Sequence, residues 1–246
     1  MAPFPSATEK WHDDTYPSLS PTRPELSAKG KSVLVTGGGT GIGGETARYF
    51  AKAGASRIAL LGRREQPLLD RKAAIESESP GVEVFTASTD VTNKEQVDAA
   101  FAAFAGNDKI DIVVAAAAVA GPVDSVRDVD PKKFLAAVET NLSGALNTAQ
   151  AFLRHAADGA VAIDVNSSAA HLKFGSGYAS YCVAKIGVFR LWDHLAFANT
   201  HFRVYHVQPG IVDTDMNKEA GGVKAFGFSD DGKSLHNPYS KASSQR

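Results

Sequence analysis

Tyr181 and Lys185 stand four residues apart, and Ser168 precedes Tyr181 by thirteen. A phenol, an ammonium and a hydroxyl in this arrangement suit proton transfer at an alcohol or carbonyl oxygen, which must accompany hydride transfer at the attached carbon. A phenol titrating near pH ~10 is a poor base at neutral pH, but a nearby cation favours its ionised form. At i and i+4 of one helix the two side chains share a face. Lys185 is therefore expected to lower the Tyr181 pKa. Ser168, at the end of a strand, is expected to donate to the substrate oxygen as charge develops there. Asn141 could link Lys185 to solvent through a water, or be a mid-helix polar residue that bends the helix or faces water. His171 follows Ser168 closely, but no carboxylate is marked to orient it, so a serine hydrolase is a poor reading. Tyr178 shares the helix with Tyr181, yet its i+4 residue is Cys182 and supplies no cation.

The run Thr36-Gly37-Gly38-Gly39-Thr40-Gly41-Ile42-Gly43 lies between a predicted strand and a predicted helix. Gly37, Gly41 and Gly43 let backbone approach a pyrophosphate while the helix N-terminus offers unpaired N–H groups. A dinucleotide site is expected here, a plain glycine-rich turn being the alternative, and an oxidised nicotinamide would add its positive charge to that of Lys185. An NAD site usually ends its second strand with an acid for the ribose 2′-OH. Here Gly62 is followed by Arg63 and Arg64, and a guanidinium pairs with a 2′-phosphate. The expected cofactor is NADP(H) in preference to NAD(H), through Arg63, with Arg64 solvating the next helix. Asp90 either bonds the adenine amino group or caps the helix from Lys94. Pro209-Gly210-Ile211 and Thr214 follow the sixth strand, where Pro209 and Gly210 fix a turn past the carboxamide and Thr214 offers a hydroxyl.

Those residues require an alternation of short apolar runs and amphipathic stretches. Strands are predicted at Ser32 to Thr36, Arg57 to Leu61, Val82 to Thr86, Asp111 to Ala115, Ala160 to Val165 and Arg203 to Val207. Helices are predicted at Ile42 to Ala53, Gln66 to Ser77, Lys94 to Ala105, Pro131 to Ala156 and Tyr178 to Asn199. The pattern is an α/β, doubly wound Rossmann fold in three αβα layers, with a mainly parallel sheet of about six strands. Strand C-terminal ends face one crevice, and the candidate residues fall there.

The 246 residues suit one domain, and a net charge of −1, from 26 basic and 27 acidic side chains, gives no drive towards nucleic acid or an anionic membrane. The single cysteine, Cys182, excludes an internal disulfide and a thiolate metal site, so no metal is expected and the reducing cytoplasm is. No run approaches the ~20 apolar residues of a membrane span. Residues 1–29, with five prolines, are expected to be an extended arm.

The glycine turn, Asn141, Ser168, Tyr181-x-x-x-Lys185 and Pro209-Gly210 to Thr214 together resemble the short-chain dehydrogenase/reductase family, over about Lys31 to Met216. The resemblance implies an NAD(P)-dependent oxidoreductase with Asn141, Ser168, Tyr181 and Lys185 as catalytic tetrad, commonly a dimer or tetramer. It also implies cofactor contacts from Ile42, Arg63, Asp90, Ile211 and Thr214, and Thr40, Val91 and Ala116 complete the candidate set. The substrate would be a small carbonyl or secondary alcohol. Two departures stand out. Ala115 to Ala118 replace the family's Asn-Asn-Ala-Gly, losing side-chain hydrogen bonds worth about 1 kcal/mol each. Residues 217–246 are polar and lack a β-branched run, so a seventh strand is expected to be missing and the substrate lid impaired. A homodimer then stays compatible with the chain and a tetramer fits poorly. A nucleotide-binding or partner-binding protein without turnover, and a non-redox enzyme on the same fold, are the competing readings.

Overall fold

The computed structural model describes residues 17–172 and 177–221. It is an α/β fold whose six strands form one parallel sheet in the order β3-β2-β1-β4-β5-β6. The strands are β1 (Ser32–Thr36), β2 (Arg57–Gly62), β3 (Glu83–Ser88), β4 (Ile110–Ala115), β5 (Ala156–Val165) and β6 (Arg203–Val207). The helices are α1 (Gly41–Lys52), α2 (Glu65–Glu78), α3 (Lys94–Ala105), α4 (Pro131–His155), α5 (Ala179–Ala198) and α6 (Asp215–Glu219). Every residue of β1 is buried, as a central strand covered on both faces must be. The chain winds outward from β1 in both directions, so the β1 and β4 ends part around a crevice at the switch in strand order.

Two apolar layers sandwich the sheet. One gathers Leu34, Val113, Ala162, Phe101, Phe152 and Trp192 under α3, α4 and α5. The other gathers Val33, Val35, Ile58, Leu60, Ala47 and Ile75 under α1 and α2. The side chains alternate between layers because strand residues alternate between faces.

Local chemistry sets the element ends. Asp130 accepts from the Lys133 N–H at 2.9 Å and Pro131 follows it, which starts α4. Asn93, not Asp90, caps α3, accepting from the Gln96 N–H at 2.9 Å. The capping alternative for Asp90 therefore fails. β5 begins at Ala156, directly after α4, four residues ahead of the predicted start, and a register irregularity opposite Ile110 and Ile112 absorbs the extra length. The N-terminal segment is not uniformly extended, since Pro17–Leu19 and Pro24–Leu26 form 3-10 turns and Ala28 is buried. The short α6 went unpredicted. The expected absence of a seventh strand concerns mostly residues 222–246, which lie outside the described residues, as do 1–16 of the predicted arm.

Candidate active site

An open cleft of about 660 Å3 runs along the C-terminal ends of the strands. Its floor is the glycine turn. Gly37 and Gly41 have φ of 70° and 52°, where an L side chain is strained. A Cβ on Gly43 would sit 2.4 Å from the Gly37 carbonyl oxygen, so this helix start can close on the strand only as glycine. Thr40 precedes α1 without a side-chain cap bond, leaving the first N–H groups of the helix towards the cleft. Thr36 Oγ1 accepts from the Ala116 and Ala117 N–H groups at 3.2 and 3.3 Å, which ties the β4 exit to β1 despite the alanine run.

Gly62, Arg63 and Arg64 line the cleft where β2 ends. Arg64 reaches Asp215 at 3.9 Å, across the mouth of the cleft. Asp90 accepts from the Thr92 N–H and hydroxyl at 2.9 and 2.8 Å. These bonds, the backbone one foremost, and the Arg63 charge hold its carboxyl below the usual range. Its neighbour Val91 also lines the cleft.

At the far end, Tyr181 projects from α5, with Lys185 one turn on and 5 % exposed. The Lys185 ammonium donates to the Val165 carbonyl at 2.7 Å and lies 5.6 Å from the Tyr181 ring centroid. Burial pushes the Tyr181 phenol up, with Asp164 and Cys182 acting in the same direction and a hydrogen bond with Ser167 opposing them. Burial pulls Lys185 down, and Asp164 partly restores it. The expectation of an acidified phenol is thus corrected. Desolvation penalises the phenolate, and the cation meant to offset it is itself buried and aimed at a carbonyl.

The two serines part company. Ser167 faces the cleft beside Tyr181, its hydroxyl also accepting from the Ala169 N–H at 3.2 Å. Ser168 opens a 3-10 turn, is 5 % exposed and does not line the cleft. Asn141 likewise lies behind the cleft wall. Its amide donates to the Val119 and Ala137 carbonyls at 3.0 and 2.8 Å and accepts from the Val119 N–H at 3.1 Å. It pins the loop after β4 to α4 rather than facing water.

Pro209, Gly210, Ile211 and Thr214 complete the opposite wall. Thr214 caps α6 by accepting from the Asn217 N–H at 3.2 Å, and its methyl lies against Gly41. Tyr178, the residue before α5, has φ of 63° and donates to the Ala220 carbonyl at 2.5 Å. Of the residues singled out from the sequence, the cleft therefore gathers all except Asn141 and Ser168. The cleft also presents Ser167, which was not among the residues singled out from the sequence and whose only signal is its adjacency to Ser168. Nor was Asp164 singled out, a carboxylate inside an otherwise apolar strand.

This geometry has close counterparts. The family model described as short chain dehydrogenase matches residues 31–223. The short chain dehydrogenase mpl6 of Monascus purpureus is 32 % identical over 230 residues, covering 88 % of this chain and 77 % of its own. Sorbose reductase sou1 of Schizosaccharomyces pombe is 33 % identical over 199 residues, covering 78 % and 76 %. Among solved structures, a short chain dehydrogenase from Burkholderia cenocepacia in complex with NADP superposes with a TM-score of 0.71 at 27 % identity, over 77 % of this chain and 78 % of the other. With its six parallel strands, glycine turn and Tyr181–Lys185 pair, the chain belongs to the short-chain dehydrogenase/reductase family, oxidoreductases acting on CH–OH groups.

Proposed function

We propose that the protein reduces a carbonyl to a secondary alcohol with NADPH, and that Tyr181 gives the proton. The observation that carries this reading is a half-buried phenol, pushed towards its protonated form, in the same cleft as a glycine cradle and an arginine at the end of β2. A protonated Tyr181 is ready to donate to a carbonyl oxygen at neutral pH. Reduction is the direction this favours.

The residues fit the cofactor. Gly37, Gly41 and Gly43 leave no side chain where the pyrophosphate would approach, and the α1 N-terminus is suited to its charge. Arg63 would hold the 2′-phosphate and Asp90 the adenine. Backbone of Val91, Ala116 and the Pro209-Gly210-Ile211 turn would border the rest, with Thr214 at the carboxamide. When bound, the cofactor supplies the hydride that the carbonyl carbon receives. Tyr181 then delivers its proton to the oxygen, and Lys185 steadies the charge left on the phenol. In this reading Ser167, which faces the cleft beside Tyr181, would hold the substrate oxygen by a hydrogen bond, the role first expected of Ser168. Asn141 fixes the loop beneath the site.

Support for a nicotinamide comes from the NADP named in the Burkholderia cenocepacia complex, and support for a carbonyl substrate from the printed activity of the yeast sorbose reductase. No described helix is long and apolar enough to cross a membrane, and we place the enzyme in the cytoplasm, acting on a small diffusible substrate without nucleic acid. The test is NADPH oxidation with a panel of ketones and keto sugars, repeated with Tyr181→Phe. Turnover lost in the variant supports the reading. Cofactor binding with no turnover on any substrate overturns it in favour of a binding protein, and a product formed without net cofactor oxidation would point to non-redox chemistry.

A further inference from the structure

The end of β5 reads Ala160-Val161-Ala162-Ile163-Asp164-Val165, and its alternate positions Ala160, Ala162 and Asp164 face the layer containing Val188 and Trp192. A carboxylate 1 % exposed thus occupies a row that is otherwise apolar. Burial of an unpartnered carboxylate is strongly disfavoured. Here His206 Nδ1, from the strand-register partner on β6, lies 2.9 Å from Asp164 Oδ2, and the Asn166 amide donates to the same oxygen at 2.5 Å. The imidazole in turn packs 4.3 Å from the Phe189 ring of α5. On its other side Asp164 borders an enclosed pocket of about 10 Å3 shared with Lys185, Asn141, Thr148 and Trp192. Trp192 Nε1 is buried there with no hydrogen-bond partner. The acid therefore stands between a held edge strand and the back of the catalytic lysine.

We propose that Asp164 is a positioning residue of the active site, the fixed counter-charge behind Lys185 that keeps a proton on the Tyr181–Lys185 pair. The groups around it bear this out. His206 faces it from β6, and on α5 it acts on Lys185 and Tyr181, with Cys182 beside Tyr181. Among the described residues, those that α4, β4 and β1 bring to the shared pocket are all uncharged, the polar ones being Asn141, Thr148 and Thr36. An anion so placed favours the protonated form of both neighbours, and it raises both Tyr181 and Lys185. Because the anion acts on both groups, removing it lowers the proton affinity of each, whichever ionises first. The kinetic consequence rests on the reductase reading above; the titration does not.

The experiment compares Asp164→Asn and Asp164→Ser with the full-length protein by two measurements. The first is the tyrosinate absorbance titration with the Tyr181→Phe signal subtracted, and the second is the pH profile of kcat for ketone reduction. In both Asp164 variants the alkaline fall in kcat, and the first loss of a proton from the pair, are expected to move about one pH unit lower. His206→Gln, which keeps a neutral donor to the acid, is expected to lower the melting temperature and leave both curves in place. Unmoved curves in the Asp164 variants, or an equal movement in His206→Gln, would overturn the proposal. So would failure of both Asp164 variants to fold, because the carboxylate would then be structural. A wild-type protein that turns over no carbonyl would defeat the reductase reading alone, and the absorbance titration would still decide the role of Asp164.

Discussion

The Lys185 ammonium faces the ring of Tyr181, 5.6 Å from its centroid, and gives its hydrogen bond to the Val165 carbonyl at 2.7 Å. The ammonium thus meets the ring face rather than the hydroxyl, and its position is fixed by the β5 backbone. Tyr181→Phe keeps the ring and that contact while removing the proton. We expect kcat to fall by about 10^2 to 10^4 with NADPH affinity little changed, measured by steady-state kinetics and fluorescence titration. Lys185→Met should in addition leave the Val165 carbonyl without its donor, costing about 1–3 kcal/mol in denaturant unfolding.

Arg63 tests the cofactor end. Loss of one charge-assisted contact to a phosphate is worth about 1.5–3 kcal/mol, so Arg63→Asp should raise the KM for NADPH by roughly 10- to 100-fold. The acid should at the same time improve NADH, as a ribose 2′-OH acceptor does. The ratio of kcat/KM for the two cofactors is the measurement, and an unchanged ratio would refute the assignment.

The neighbouring serines predict opposite outcomes. Ser167→Ala should lower kcat by about 10^2, the scale for losing one donor to a developing oxyanion. Ser168→Ala should leave kcat within severalfold and show its effect in the melting temperature. If the two results are exchanged, the cleft-facing position does not identify the functional hydroxyl.

These expectations also mark what the sequence could carry. Strand positions were legible because each is a short β-branched or aliphatic run between helical stretches, and the glycine turn because Gly37 needs a left-handed backbone and Gly43 has no room for a Cβ. The Tyr181–Lys185 pair followed from helical spacing alone. Ser167 did not, because sequence spacing cannot reveal which of two adjacent hydroxyls a 3-10 turn directs into the cleft. The direction of the Tyr181 shift was missed for a related reason. It depends on burial and on Asp164, seventeen positions away in the chain and brought near only by packing of α5 on β5.

Stability at low pH should depend on Asp111, at the base of β4. Its carboxylate accepts from the Ser32 N–H at 2.9 Å and the Lys31 ammonium at 2.8 Å. Burial raises its pKa, but these donors outweigh burial and hold it below the usual carboxylate value of 3.8. A folded-state pKa below the unfolded one gives stability that is complete above 3.8 and is lost as pH falls through the folded value. Asp111→Asn should cost about 1–2 kcal/mol in urea unfolding at pH 7, and the difference from wild type should shrink on acidification below that point. A difference that grows with acid would contradict the assignment.

The bond from the Tyr178 phenol to the Ala220 carbonyl joins the residue that caps the start of α5 to the residue just beyond α6. Tyr178 holds a left-handed backbone three residues ahead of Tyr181, so whatever tugs on Ala220 also levers the root of the helix that carries Tyr181. The cleft wall at Ala220 and the Tyr181 hydroxyl are parts of one linkage. A bulky guest could then alter turnover by re-aiming the acid, without ever touching it.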